Sequence, residues 1–260
     1  MTRPVAFAPA RPQQLSIAET SALLIAAALA WVVTVAVSRD MGVMPGTMGL
    51  AFVAFVGVWT LMMAAMMLPS ITPVASLYAR TMRDHRARRV SLLAAGYLVV
   101  WASVGLVAFG LATGAERLAN DAPGWAQAAA VLSCVVCGTY QMTALKDRCL
   151  QRCRSPLGHL MRYTSFRGRL ADTRVGLHHG AWCLACCWSL MVLLITFGVM
   201  SVVAMVVLAA VILAEKLLAP GRWFSVAVGV GAVALGVAIW INPSLAPGLH
   251  ATTGTTMAGM

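Results

Sequence analysis

The chain has 260 residues, 60% of them hydrophobic and only 10% charged, with a formal net charge of +11. Soluble domains carry roughly 25% charged residues, so the composition excludes an ordinary soluble domain and predicts a polytopic membrane protein. The positive charge lies in short loops between apolar runs, not in a basic patch interleaved with aromatics. That pattern argues against nucleic acid and leaves the lipid bilayer, with its anionic headgroups, as partner of those loops.

Residues 1–19 are rich in Pro and Ala and are expected to form a disordered N-terminal segment. The apolar run over 20–38 exceeds a signal-peptide core and lacks a small-residue cleavage pattern, so it predicts a retained helix. A loop containing Met41, Met44 and Met48 leads to a second helix over 49–78, interrupted by Pro69 and Pro73. A basic loop with Arg80, Arg83, Arg86, Arg88 and Arg89 precedes a third helix over 90–113. A fourth is predicted over 125–145, followed by a long basic segment, 146–174. The fifth covers 176–197, the sixth 199–218, ended by Pro220-Gly221, and the seventh 223–241. The Gly- and Thr-rich tail, 242–260, is expected to be flexible.

The predicted architecture is therefore an all-α transmembrane bundle of about seven helices across residues 20–241. Of the 19 Lys and Arg, all but Arg39 and Arg117 fall on one side when the amino terminus is placed inside. The positive-inside rule then predicts the amino terminus in the cytoplasm and the carboxyl tail outside. None of the seven cysteines falls in a predicted outside segment, so a disulfide framework is not expected.

The second helix carries Met62, Met63, Met66 and Met67 just before Pro69. Met62 and Met66 share one face, as do Met63 and Met67, and Met48 points within roughly 40° of Met62 if the helix is continuous. Thioethers are soft ligands that suit Cu(I) and need no deprotonation. Methionine is equally a flexible apolar filler at helix contacts.

The fifth helix presents His179, Cys183, Cys187 and Met191 at fourth-residue steps, with Cys186 beside them. Thiolate and imidazole donors suit Cu(I), with zinc possible. The alternative is small residues that permit close helix packing. Donors stacked along one helix do not converge on an ion, so the expected site is interhelical, with the cysteine stripe facing the methionines. On the fourth helix Cys134, Cys137 and Gln141 share a face, and Cys149 and Cys153 lie one turn apart in the basic segment. That pair could pass a metal at the cytoplasmic mouth, or lie on the lipid side of an amphipathic surface helix. Glu215, the acidic residue within the sixth helix, is a functional candidate, or else pairs locally with the adjacent Lys216 or snorkels.

Three motifs occur in order: Met62–Pro69; Gly138, Tyr140, Gln141, Leu145, Lys146, Cys149, Leu150, Cys153, Arg154 and Pro156; then His179, Gly180, Cys183, Cys186 and Cys187. Together they resemble the bacterial family of predicted metal-binding integral membrane proteins, a domain of unknown function sometimes described as copper-related. The resemblance covers roughly residues 50–240. It implies a metal role for these residues and no established reaction.

The leading expectation is Cu(I) handling: binding, passage or delivery to a soluble or membrane cuproprotein. A membrane oxidoreductase is the alternative, although a haem-attachment motif, a dinucleotide Gly fingerprint and a P-loop are all missing from the sequence. A structural subunit, with Met and Cys as packing, is the third. No catalytic residue emerges.

Overall fold

The computed structural model describes residues 15–41, 46–80, 85–154, 163, 166, 168, 170–218 and 221–250, and among these no strand occurs. The helices are α1 (Leu15–Met41), α2 (Phe52–Arg80), α3 (Arg86–Asp121), α4 (Pro123–Gln141) and α5 (Ala144–Arg154). They continue with α6 (Ala171–Thr196), α7 (Val202–Leu213), a π turn (Ala214–Leu218) and α8 (Arg222–Ile241). Short 3₁₀ turns at Pro243–Leu245 and Pro247–Leu249 follow.

Among the described residues, five helices are long and apolar enough to cross a membrane: α1, α2, α3, α6 and α8. A sixth span exists only if α4 and α5, bent by 67° against each other, are taken together. The expected count of about seven is thus not reached, and two local causes account for it. The predicted fourth helix breaks after Gln141 because Thr143 caps a new one. Its hydroxyl donates to the Tyr140 carbonyl at 2.7 Å and accepts from the Lys146 amide at 3.2 Å. The predicted sixth helix is only Val202–Leu213 before it widens into the π turn.

The second helix begins at Phe52 rather than 49. Positive φ at Gly46, Met48 and Gly49 makes a turn there instead. The Glu116 carboxylate accepts from the Thr47 amide at 3.2 Å and its hydroxyl at 3.3 Å, tying this turn to the far end of α3. Met48 is buried in that turn, so it does not extend the methionine stripe of α2. Pro69 and Pro73 lie inside α2, which runs on through both. Pro73 frees the Pro69 carbonyl, and the Thr72 hydroxyl donates to it at 2.8 Å. Nearby hydroxyls of this kind let a membrane helix keep an internal proline.

Small residues set the closest crossings. A Cβ added at Gly176 of α6 would strike the Leu93 carbonyl oxygen of α3, and one at Gly96 would strike that of Thr173. Gly138 of α4 and Gly229 of α8 are matched likewise: a Cβ on either would lie 2.6 or 2.8 Å from the other's carbonyl oxygen. Backbones approach this closely only at small residues. The indoles of Trp125, Trp223 and Trp240 are exposed near helix ends, as an interfacial belt requires.

At one end of the bundle the Asp172 carboxylate accepts from the Tyr78 hydroxyl at 2.6 Å and from Arg89 Nε at 2.9 Å. It joins α2, α3 and α6. Asp172→Ala is expected to destabilise the protein by about 1–3 kcal/mol, because a buried hydroxyl loses its acceptor; a thermal unfolding scan reads the shift.

Candidate metal centre

The sulfur stripe of α6 is wholly inside the bundle: His179, Cys183, Cys186, Cys187 and Met191 are all buried. The Cys186 and Cys187 thiols both donate back to the Cys183 carbonyl, at 3.1 and 2.9 Å. Such back-bonding gathers the three thiols around one turn. Around Cys183 Sγ lie the Tyr97 hydroxyl at 2.9 Å and, donating to it, Lys216 Nζ at 2.7 Å. The rings of His179 and Tyr97 are 6.0 Å apart between centroids.

A fourth thiol arrives from another helix. Cys153 of α5 donates to Cys186 Sγ at 3.5 Å, with both side chains buried. Tetrahedral metal–thiolate bonds of about 2.3 Å imply sulfurs roughly 3.8 Å apart. A few tenths of an ångström therefore separate this thiol pair from bracketing a soft ion. As placed, the thiols of Cys186 and Cys187 address a backbone carbonyl. Among the described residues no group of three or more His, Cys, Asp or Glu side chains is disposed to hold a metal.

The four methionines of α2 are also buried, each at most 1% exposed. Ser70 follows Met62 and Met66 at four-residue steps and so continues their face. Its hydroxyl donates to the Met67 carbonyl at 2.8 Å, lies 3.5 Å from the Tyr97 hydroxyl and accepts from Lys216 Nζ at 3.4 Å. Tyr97 and Lys216 in turn reach Cys183. Polar contacts through Ser70, Tyr97 and Lys216 thus link the methionine helix α2 to Cys183 of α6.

The remaining sequence candidates are spread more widely. Met41 ends α1, Met44 lies outside the described residues, and Met48 sits in the turn before α2. Cys149 is buried on α5. Cys134, Cys137 and Gln141 share the buried face of α4, as their spacing predicts.

The expected local pairing of Glu215 is overturned. Glu215 Oε2 accepts from Lys146 Nζ at 2.7 Å, a partner far away in sequence, and Lys216 turns to Cys183. Neighbours on an α-helix diverge by about 100°; in the wider π turn both charges address the interior. π turns of this kind are frequent at functional sites. Sequence reasoning also missed Tyr97, Ser70 and the burial of Lys146. For Lys146 a signal existed, an ionisable residue at the end of an apolar run.

A family model described as PpoB2, copper chaperone, matches residues 56–239. The match takes in the methionine stripe, α5 and the α6 cysteines. The chain matches no curated protein and no solved structure.

Proposed function

The chain belongs to the PpoB2 family of copper chaperones, and on that premise we propose that it holds Cu(I) within a bacterial inner membrane and hands it to a cuproprotein. Met62, Met63, Met66 and Met67 offer neutral thioethers at mid-depth, suited to weak, exchangeable binding. Cys183, Cys186 and Cys187, with His179 beside them, make the tighter site. With the amino terminus inside, Met48 would lie toward the outer mouth, with Met41 and Met44 of the same loop as sequence candidates there, and Cys149 and Cys153 toward the inner one.

The observation that carries this reading is the chain of polar contacts from Ser70, on the face that bears Met62 and Met66, through Tyr97 and the half-buried Lys216 to Cys183. Packing alone would not need a lysine ammonium and two hydroxyls gathered at the thiol of Cys183, since polar groups in an apolar interior are costly to desolvate.

The test is elemental analysis of the purified full chain with and without Cys183, Cys186 and Cys187 changed to Ser. Wild-type protein is expected to carry copper and the triple variant to lose most of it at unchanged helix content. Copper that is absent from the wild type, or equal in both, defeats the proposal. Zinc in place of copper at the same residues would correct the cargo and keep the site.

A further inference from the structure

Lys146 and Glu215 form an ion pair at 2.7 Å with side chains 0% and 2% exposed. Burying two charges costs more than a matched apolar pair, so such pairs are poor stabilisers and suit the fixing of a register instead. The surroundings show what is fixed. Lys146 Nζ donates a second bond, at 2.6 Å, to the carbonyl of Cys186. Glu215 Oε1 accepts from Gln141 of α4 at 3.2 Å and Ser225 of α8 at 3.0 Å. Arg154 Nε, at the other end of α5, donates to the Glu215 carbonyl at 2.6 Å. Both ends of α5 are therefore gripped by the same residue of the π turn, and Lys146 also holds the residue that bears the facing thiol.

Lys146 and Cys153 are seven residues apart, two turns along one face of α5. Their targets on α6 are the carbonyl and the sulfur of one residue, Cys186. We propose that the Lys146–Glu215 pair is a positioning device that sets α5 so that Cys153 enters the thiol cluster of α6 and supplies its interhelical ligand. This rests on the copper reading above and adds a sulfur to its site from outside α6. The sequence pattern alone slightly favoured a lipid-facing position for Cys153.

The experiment uses the full chain, with Cu(I) alone as probe, in three backgrounds: wild type, Lys146→Met, and the apolar pair Lys146→Met/Glu215→Leu. The pair avoids the uncompensated charge that could simply unfold the single variant. Each background is made with and without Cys153→Ser, and Cu(I) affinity is read by competition with a chelator. Proximity of Cys153 to Cys186 is read separately, without copper, by a short bis-alkylating cross-linker in chains whose other cysteines are Ser.

Loss of a group that orients a metal ligand costs about 10–100-fold in affinity. Cys153→Ser and the apolar pair are each expected to lower Cu(I) affinity to this extent, and their combination no further, because the sulfur has already left. The Cys153–Cys186 cross-link is expected to fall in the apolar pair while its unfolding temperature stays near wild type. Additive losses, or an apolar pair that keeps both cross-link and affinity, overturn the proposal. Wild-type protein that cross-links efficiently but takes up no Cu(I) instead overturns the copper reading, and with it the ligand role of Cys153.

Discussion

Gly176→Val is expected to pull α3 away from α6 and to destabilise the protein by about 3 kcal/mol or more, at the upper end of overpacking penalties. A Cβ at this position would strike the Leu93 carbonyl oxygen and lie 2.8 Å from the Tyr97 amide nitrogen. These are backbone atoms two to three turns inside a 36-residue helix, so they cannot step aside as the tip of a side chain could. The same crossing carries Tyr97 to within 2.9 Å of Cys183, so the variant should lose copper along with its thermal midpoint. Gly176→Ala should show the same sign with a smaller size. Gly57 of α2, where an added Cβ meets nothing within 4 Å, is the control: Gly57→Ala should be neutral or stabilising by up to about 1 kcal/mol. A Gly176→Val protein that melts where wild type does would show that the α3–α6 crossing is not what holds the bundle.

Changing Met62, Met63, Met66 and Met67 together to Leu should separate ligand from filler. Leu and Met are close in volume, and such swaps usually cost less than about 1.5 kcal/mol each. All four side chains are buried, so the variant should fold with a lowered but cooperative melting transition. If the thioethers hold Cu(I), the folded variant should deliver copper to an acceptor far more slowly, or lose the fraction bound on α2 altogether. Stopped-flow transfer to a Cu(I) chelator, with elemental analysis of the same sample, measures both. Transfer and copper content equal to wild type would leave the methionines as packing.

The features readable from the sequence were those that local periodicity controls. The long spans α1, α2, α3, α6 and α8, the burial of Met62 and Met66 on one face and the burial of the Cys183–Cys187 turn follow from apolar runs and fourth-residue spacing. The break after Gln141 was legible in principle, since Thr143 stands three residues before Lys146 as a capping residue should. It was outweighed by the continuous apolar pattern over 125–145. The turn at Met48 was hidden because it depends on Glu116, 69 residues away. The partner of Lys146 is likewise 69 residues distant. A charge at the end of an apolar run looks like the start of a loop unless its counterion is known. Periodicity assigns a side chain to a face, and contacts of this range decide what that face meets. The same limit applied to Cys153, whose inward position depends on the 67° bend between α4 and α5.

The Lys146–Glu215 pair also has a consequence for how the protein is made. At roughly 5–20 residues per second of synthesis, Lys146 leaves the ribosome several seconds before the carboxylate that neutralises it, 69 residues later. A lysine without its counterion costs up to about 2.5–3.5 kcal/mol to insert at the centre of a span, so, if the bundle spans a membrane, α5 is expected to stay at the surface until the π turn arrives. Chains arrested before Glu215 would contain every sulfur donor of α2, α5 and α6 yet lack the assembled cluster. On the copper reading proposed above, the cluster would be completed only once Glu215 has been made, later than any of its sulfur donors.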